Sequence, residues 1–119
     1  MDIFKGDVVS VDLEPIVGSE TVKIRPCLIV QNNINNEHSL TTIIVVITGR
    51  DRFKKKYPTH VWIDKGESGL TKDSVIQCEQ IRTIDKRRIT KKLGSLNNNC
   101  LQKVEEAIKI TLAFGKYNL

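Results

Sequence analysis

The sequence predicts a mainly β protein, a small and strongly bent barrel of five or six short strands closed by one C-terminal helix. Three observations lead there. Val9, Val11 and Leu13 alternate with Val8, Ser10 and Asp12 in the period-two pattern of a half-buried strand. Thr41 to Thr48 is β-branched at every position, the composition of a central strand. After Gly94 the period changes, and Leu101, Val104, Ile108 and Leu112 recur at the spacing of one helical stripe.

The elements follow in order. The first strand runs from about Val8 to Leu13. Glu14 to Thr21 breaks its pattern with Pro15, Gly18 and small polar residues, which marks a mobile hairpin loop and a candidate lid. Apolar character returns from Lys23 to Gln31, with Pro26 inside it. Proline has no N–H, so the ladder is interrupted beside Arg25. Asn32 to His38 is polar and reads as a connection. The Thr41–Thr48 strand is apolar on both faces, so barrel interior must cover one side and a helix or a second subunit the other. Tyr57 to Ile63 reads as a strand, Lys65 to Gly69 as a turn, and Ser74 to Ile84 and Ile89 to Leu93 as the last strands. Asparagines at 97 to 99 offer helix caps, which places the helix from about Asn98 to Phe114.

Composition narrows the class. A chain of 119 residues without linker, repeat or low-complexity tract is expected to form one domain, residues 1–119. No apolar run approaches the roughly 20 residues that span a bilayer, so no membrane partner is expected. Met1 to Lys5 lack the features of a secretory signal, which predicts a cytoplasmic location. Cys27, Cys78 and Cys100 are odd in number and widely spaced, fitting neither a disulfide framework nor a zinc site; they read as packed thiols. The net charge of +5 is concentrated. Arg50 to Lys56 carries five basic residues and one acid, with Phe53 and Tyr57 interleaved. That mixture suits single-stranded nucleic acid, cations for phosphates and rings for unpaired bases, or else a solvated loop. Lys86, Arg87, Arg88, Lys91 and Lys92 form a second basic cluster.

Several blocks occur in sequence: Gly6 to Pro15, Gly18-Ser19-Glu20, Ile24-Arg25-Pro26 to Val30, the apolar run ending at Thr48, and Gln77-Cys78-Glu79-Gln80-Ile81-Arg82-Thr83-Ile84-Asp85. Together they resemble the MazF/PemK family of bacterial toxin endoribonucleases over nearly the whole chain. The resemblance implies an SH3-like barrel of the CcdB/PemK type, a two-fold homodimer, and a toxin held inactive by a cognate antitoxin. It implies sequence-specific cleavage of single-stranded mRNA without metal or other cofactor, leaving 2′,3′-cyclic phosphate and 5′-hydroxyl ends. An antitoxin of this class would lay an acidic, initially disordered segment along the basic groove and would link the toxin to promoter DNA.

Such cleavage needs the 2′-oxygen activated, the charge on five-coordinate phosphorus stabilised and the 5′-oxygen protonated. Arg25 offers a planar charged fork for two phosphate oxygens. Taken alone it would read as a strand arginine paired to a carboxylate, but the resemblance makes it catalytic. The family gives it an acid/base role too, which a guanidinium fills poorly without help from another group. Thr48 ends the central strand before Gly49, where its hydroxyl can donate to a phosphate. Its catalytic role rests on the match to the family's threonine, since a β-branched strand end is otherwise structural. Ser19 and Glu20 are candidates to orient the 2′-hydroxyl or cover RNA, or are solvated loop residues. Arg50, Phe53 and Lys54 are candidate substrate contacts in the basic loop. Gln80, with Gln77, Glu79 and Arg82, reads base edges or holds the barrel together. His38 and His60 match no catalytic position of the family and are expected at the surface or a strand edge. Two other readings compete: a non-enzymatic toxin on the same barrel, as CcdB acts on DNA gyrase, and a nucleic-acid module whose main task is promoter binding.

Overall fold

The computed structural model describes residues 1–13 and 24–117, and the candidate lid at 14–21 lies outside them. Six strands form one antiparallel sheet: β1 (Asp7–Asp12), β2 (Ile24–Ile29), β3 (Thr41–Gly49), β4 (His60–Ile63), β5 (Ser74–Asp85) and β6 (Ile89–Ser95). Two helices accompany them, α1 (Asn33–His38) and α2 (Asn98–Thr111). The order across the sheet is β4-β5-β3-β2-β1-β6, which puts the β-branched β3 among the inner strands as expected.

The sheet bends into a barrel, and its two edges meet through a turn. The 3-10 turn Glu67–Gly69, which follows β4, lies against β6. A Cβ on Gly69 would fall 1.9 Å from the Leu93 carbonyl oxygen, and one on Gly94 would fall 2.5 Å from that of Ser68. Backbone touches backbone here, and only glycine on both sides permits it.

Two apolar layers lie on the two faces of the sheet. Val8, Leu28, Val45, Ile47, Ile76 and Cys78 face Val104 and Ala107 of α2. Val9, Val11, Cys27, Ile29, Ile44 and Val46 point the other way, where Ile3 and Ile84 complete a second cluster. Both faces of β3 are therefore covered by this chain alone. The expected covers are both present: α2 lies on one face, and the interior of the bent sheet, with the N-terminal residue Ile3, closes the other.

The helices depart from expectation in two ways. Asn32 to His38 is not a plain connection: Asn32 caps α1 by accepting from the Asn35 amide at 2.9 Å. The buried Asn36 accepts from Thr42 Oγ1 (2.7 Å) and Gln31 Nε2 (2.9 Å) and donates to the Gln31 carbonyl. A helix held by amide bonds shows no apolar period. At the other end α2 starts where expected, with Asn97 accepting from the Cys100 amide, but stops at Thr111. Leu112 is the exposed cap residue, and Ala107 takes its place in the buried stripe.

Candidate functional site

β2 pairs with β3 from Ile29↔Ile44 to Cys27↔Val46 and no further. Two more steps of that register would set Arg25 opposite Thr48. Pro26 has no N–H to continue the ladder, and it stays paired only with Ser10 of β1. The strands part there and leave a cleft of 280 Å³ whose lining includes Arg25, Thr48, Gly49, Arg52, Lys72 and Ser74. Leu70 and Ile47 are buried beneath it. Three cations line this cleft, and no lining residue among those described is a carboxylate. A concave positive site of this kind concentrates phosphate.

Thr48 is 8% exposed and donates from Oγ1 to Gln77 Oε1 at 2.5 Å. Gln77 continues to Glu79 Oε2 (3.5 Å), which also meets His60 Nε2 at 3.2 Å. The catalytic candidate thus stands at one end of a polar chain, Thr48–Gln77–Glu79–His60, that crosses from β3 over β5 to β4. His60 opens the edge strand β4, one of the two places expected for it. Its side chain is 5% exposed, and the rings of Phe53 and Tyr57 meet it edge-on at 4.9 and 5.1 Å. His38, by contrast, is exposed on α1 beside Glu37.

The remaining candidates separate by position. Ser19 and Glu20 lie outside the described residues. Arg50 turns inward: its guanidinium donates to the Ile63 carbonyl (2.6 Å) and Asp64 Oδ1 (3.1 Å) and stacks on Trp62. Phe53 is half-buried against His60. Lys54 and Gln80 are exposed, Gln80 in the irregular stretch where β5 leaves the β3 register between Gln77 and Ile81. None of these four lines the Arg25–Thr48 cleft. A hollow of 570 Å³ between β4 and α2, lined by Lys56, Trp62 and Lys103 among others, is also separate from it.

Lys72 was not singled out by sequence, although a signal existed, and Gln77 only beside Gln80, as a residue for base edges or for holding the barrel. Ser74 begins the strand that pairs with the Thr48 strand, so residues just before it return to the end of β3. Cys27, two residues from Arg25, offers no nucleophile, because burial pushes its thiol up to about 12 against the opposing pull of Arg82 and Arg25.

Comparison with known proteins agrees with the fold. The family described as PemK-like, MazF-like toxin of type II toxin-antitoxin system matches residues 4–112. Endoribonuclease EndoA of Bacillus subtilis is 49% identical over 113 residues, covering 95% of this chain and 97% of that protein. Among solved structures, MazF from Deinococcus radiodurans superposes with a TM-score of 0.78 at 22% identity, covering 96% of this chain and 99% of that one. An endoribonuclease in complex with its cognate antitoxin, from a mycobacterial species, gives 0.77 at 24% identity over 95% and 97%.

Proposed function

This chain belongs to the PemK-like, MazF-like toxins of type II toxin-antitoxin systems and is an endoribonuclease, and we propose that it cleaves single-stranded mRNA at a short recurring sequence without a metal, leaving 2′,3′-cyclic phosphate and 5′-hydroxyl ends. One observation carries this reading: Arg25 and Thr48 line the same cationic cleft, at the point where β2 and β3 part. Arg25 is the group that grips the phosphate and stabilises the charge of the five-coordinate state. Thr48 adds a hydroxyl donor once it turns from Gln77 to a phosphate oxygen, exchanging a neutral hydrogen bond for a charge-assisted one. Ser19 and Glu20, in the segment just before β2, are assigned to the 2′-hydroxyl or to cover over the RNA. Lys54 and Gln80 are assigned to more distant parts of the strand, outside the reacting cleft. The protein acts in the cytoplasm as a homodimer, and exposed Ile24, Leu112 and Phe114 are apolar surface available to a second copy. Its inhibitor is a cognate antitoxin whose acidic segment competes with RNA for the same cations.

The test is incubation of purified protein with a long single-stranded RNA in EDTA, with fragment ends mapped, beside Arg25→Ala. Cleavage at a recurring sequence, with cyclic phosphate ends and loss of on the order of 10³-fold in the variant, is expected. Intact RNA from the folded wild type would instead assign the fold a non-enzymatic binding role.

A further inference from the structure

We propose that Gln77 is a positioning residue that acts through Thr48: it holds the Thr48 hydroxyl proton away from the reacting cleft, so that each cleavage must first break the bond between them. This rests on the endoribonuclease reading above. The sheet register puts the two side chains on one face. Cys27, Val46, Gln77 and His60 stand opposite one another across β2, β3, β5 and β4. Arg25 and Thr48 lie two residues from Cys27 and Val46, and side chains two apart in a strand share a face. Thr48 and Gln77 are therefore diagonal neighbours on β3 and β5, a separation that a long side chain spans. Thr48 lines the cleft with Arg25 and Gln77 does not, so the amide meets the threonine from outside the lining.

Thr48 Oγ1 and Gln77 Oε1 are 2.5 Å apart. An amide oxygen carries lone pairs and no proton, so the hydrogen between them belongs to Thr48. The far end of the amide fixes its orientation. Gln77 Nε2 faces Glu79 Oε2 at 3.5 Å, and a carboxylate takes the NH₂ end of an amide, not its oxygen. Glu79 is tied in turn to His60 Nε2 at 3.2 Å, and the rings of Phe53 and Tyr57 pack on that histidine. Turning Oε1 away from Thr48 would set it against the Glu79 carboxylate. Val46 and Val75, the neighbours of Thr48 on this face, are buried and offer no other acceptor. Among the described residues Gln77 is the only side chain bonded to the Thr48 hydroxyl. A hydroxyl has one proton, and here it is committed outside the cleft.

The consequence is a rate below what Arg25 and Thr48 allow. An interaction present in the free protein and absent from the transition state raises the barrier by its net worth. When the hydroxyl turns to a phosphate oxygen, its bond to Gln77 is lost, and the half-buried Gln77 is left to water. The net worth of one such bond corresponds to about 5-fold in rate.

The experiment compares single-turnover kcat/KM on an oligonucleotide of the cleaved sequence for wild type, Gln77→Leu, Thr48→Val and the double variant, with urea midpoints measured beside them. Gln77→Leu is expected to cleave about 5-fold faster than wild type where Thr48 is present, and to change nothing where Thr48 is replaced by valine. Gln77→Met, which keeps the unbranched length and removes the amide, is expected to agree and decides the question if the leucine unsettles β5. Loss of mere structural support lowers a rate and cannot raise it. A rate unchanged or lowered in the presence of Thr48 would overturn the proposal. So would an equal gain in both backgrounds, which would mean that Gln77 obstructs the RNA directly. Wild type that cleaves no RNA would overturn the endoribonuclease reading instead.

Discussion

Thr48 serves the fold and the cleft with one hydroxyl, which makes it the residue at which the two can be separated. Its Oγ1 is bonded to Gln77, while its place on the cleft wall offers the same group to phosphate. Thr48→Val keeps the β-branched shape and removes the donor. It is expected to lose about 10²-fold in cleavage, as loss of one transition-state hydrogen bond does, and about 1 kcal/mol of stability from the unpaired Gln77. Single-turnover kinetics and urea denaturation measure the two, and cleavage at the wild-type rate would remove Thr48 from the chemistry. The way the site could be read from sequence follows the same division. Arg25 and Thr48 stand at the ends of apolar runs beside a proline and a glycine, and it is the resemblance to the family, not the periodicity, that marks them as site residues. Gln77, Lys72 and His60 are polar residues whose neighbours are set by cross-strand register and by the break between Gln77 and Ile81, which no local pattern encodes. Arg50 reads as one more cation of a basic run, and only the position of β4 turns it toward Ile63 and Asp64.

At the scale of elements, the strands were legible because each is an apolar or alternating run bounded by turn residues, and α2 because its buried stripe has a helical period. Its end was not legible. The Phe114 amide donates to the Lys109 carbonyl (2.9 Å) and the Ala113 amide to that of Ile110 (3.1 Å), the paired bonds of a helix that closes on a left-handed residue. That residue is Ala113, at φ +58, where glycine is the usual occupant. Alanine continues a helix in any propensity reading, so the stop is enforced by tertiary structure against local preference. Ala113→Gly should therefore stabilise the protein by about 1 kcal/mol, the relief of left-handed strain less the added freedom of the unfolded chain. Urea denaturation with an unchanged slope and a higher midpoint would show it. A lower midpoint would mean that the strain is already relaxed by the chain around it.

For the whole molecule, the two apolar layers make a pair of internal reporters. Cys27 belongs to the cluster with Ile3, Val9 and Ile44, and Cys78 to the one under α2. Burial pushes both thiols from 9.0 to about 12, with Glu79 adding to the rise at Cys78. In the unfolded chain they ionise from about pH 9, whereas in the native protein they stay protonated until about 12. Between those limits the unfolded state binds fewer protons, so stability is full below pH 9 and falls as pH rises, by up to about 1.4 kcal/mol per pH unit for each thiol. Because the thiols lie on opposite faces of one bent sheet closed through Gly69 and Gly94, neither layer can open to water without disrupting the shared strands. Urea midpoints followed from pH 8 to 11 should decline steeply in wild type and less steeply in Cys27→Ala/Cys78→Ala, whatever constant stability the double variant loses to its cavities. Native-state labelling at neutral pH should modify both cysteines at one common rate, the rate of global unfolding. Parallel pH curves would show that the buried thiols do not set the alkaline limit, and two distinct labelling rates would show that the layers open separately.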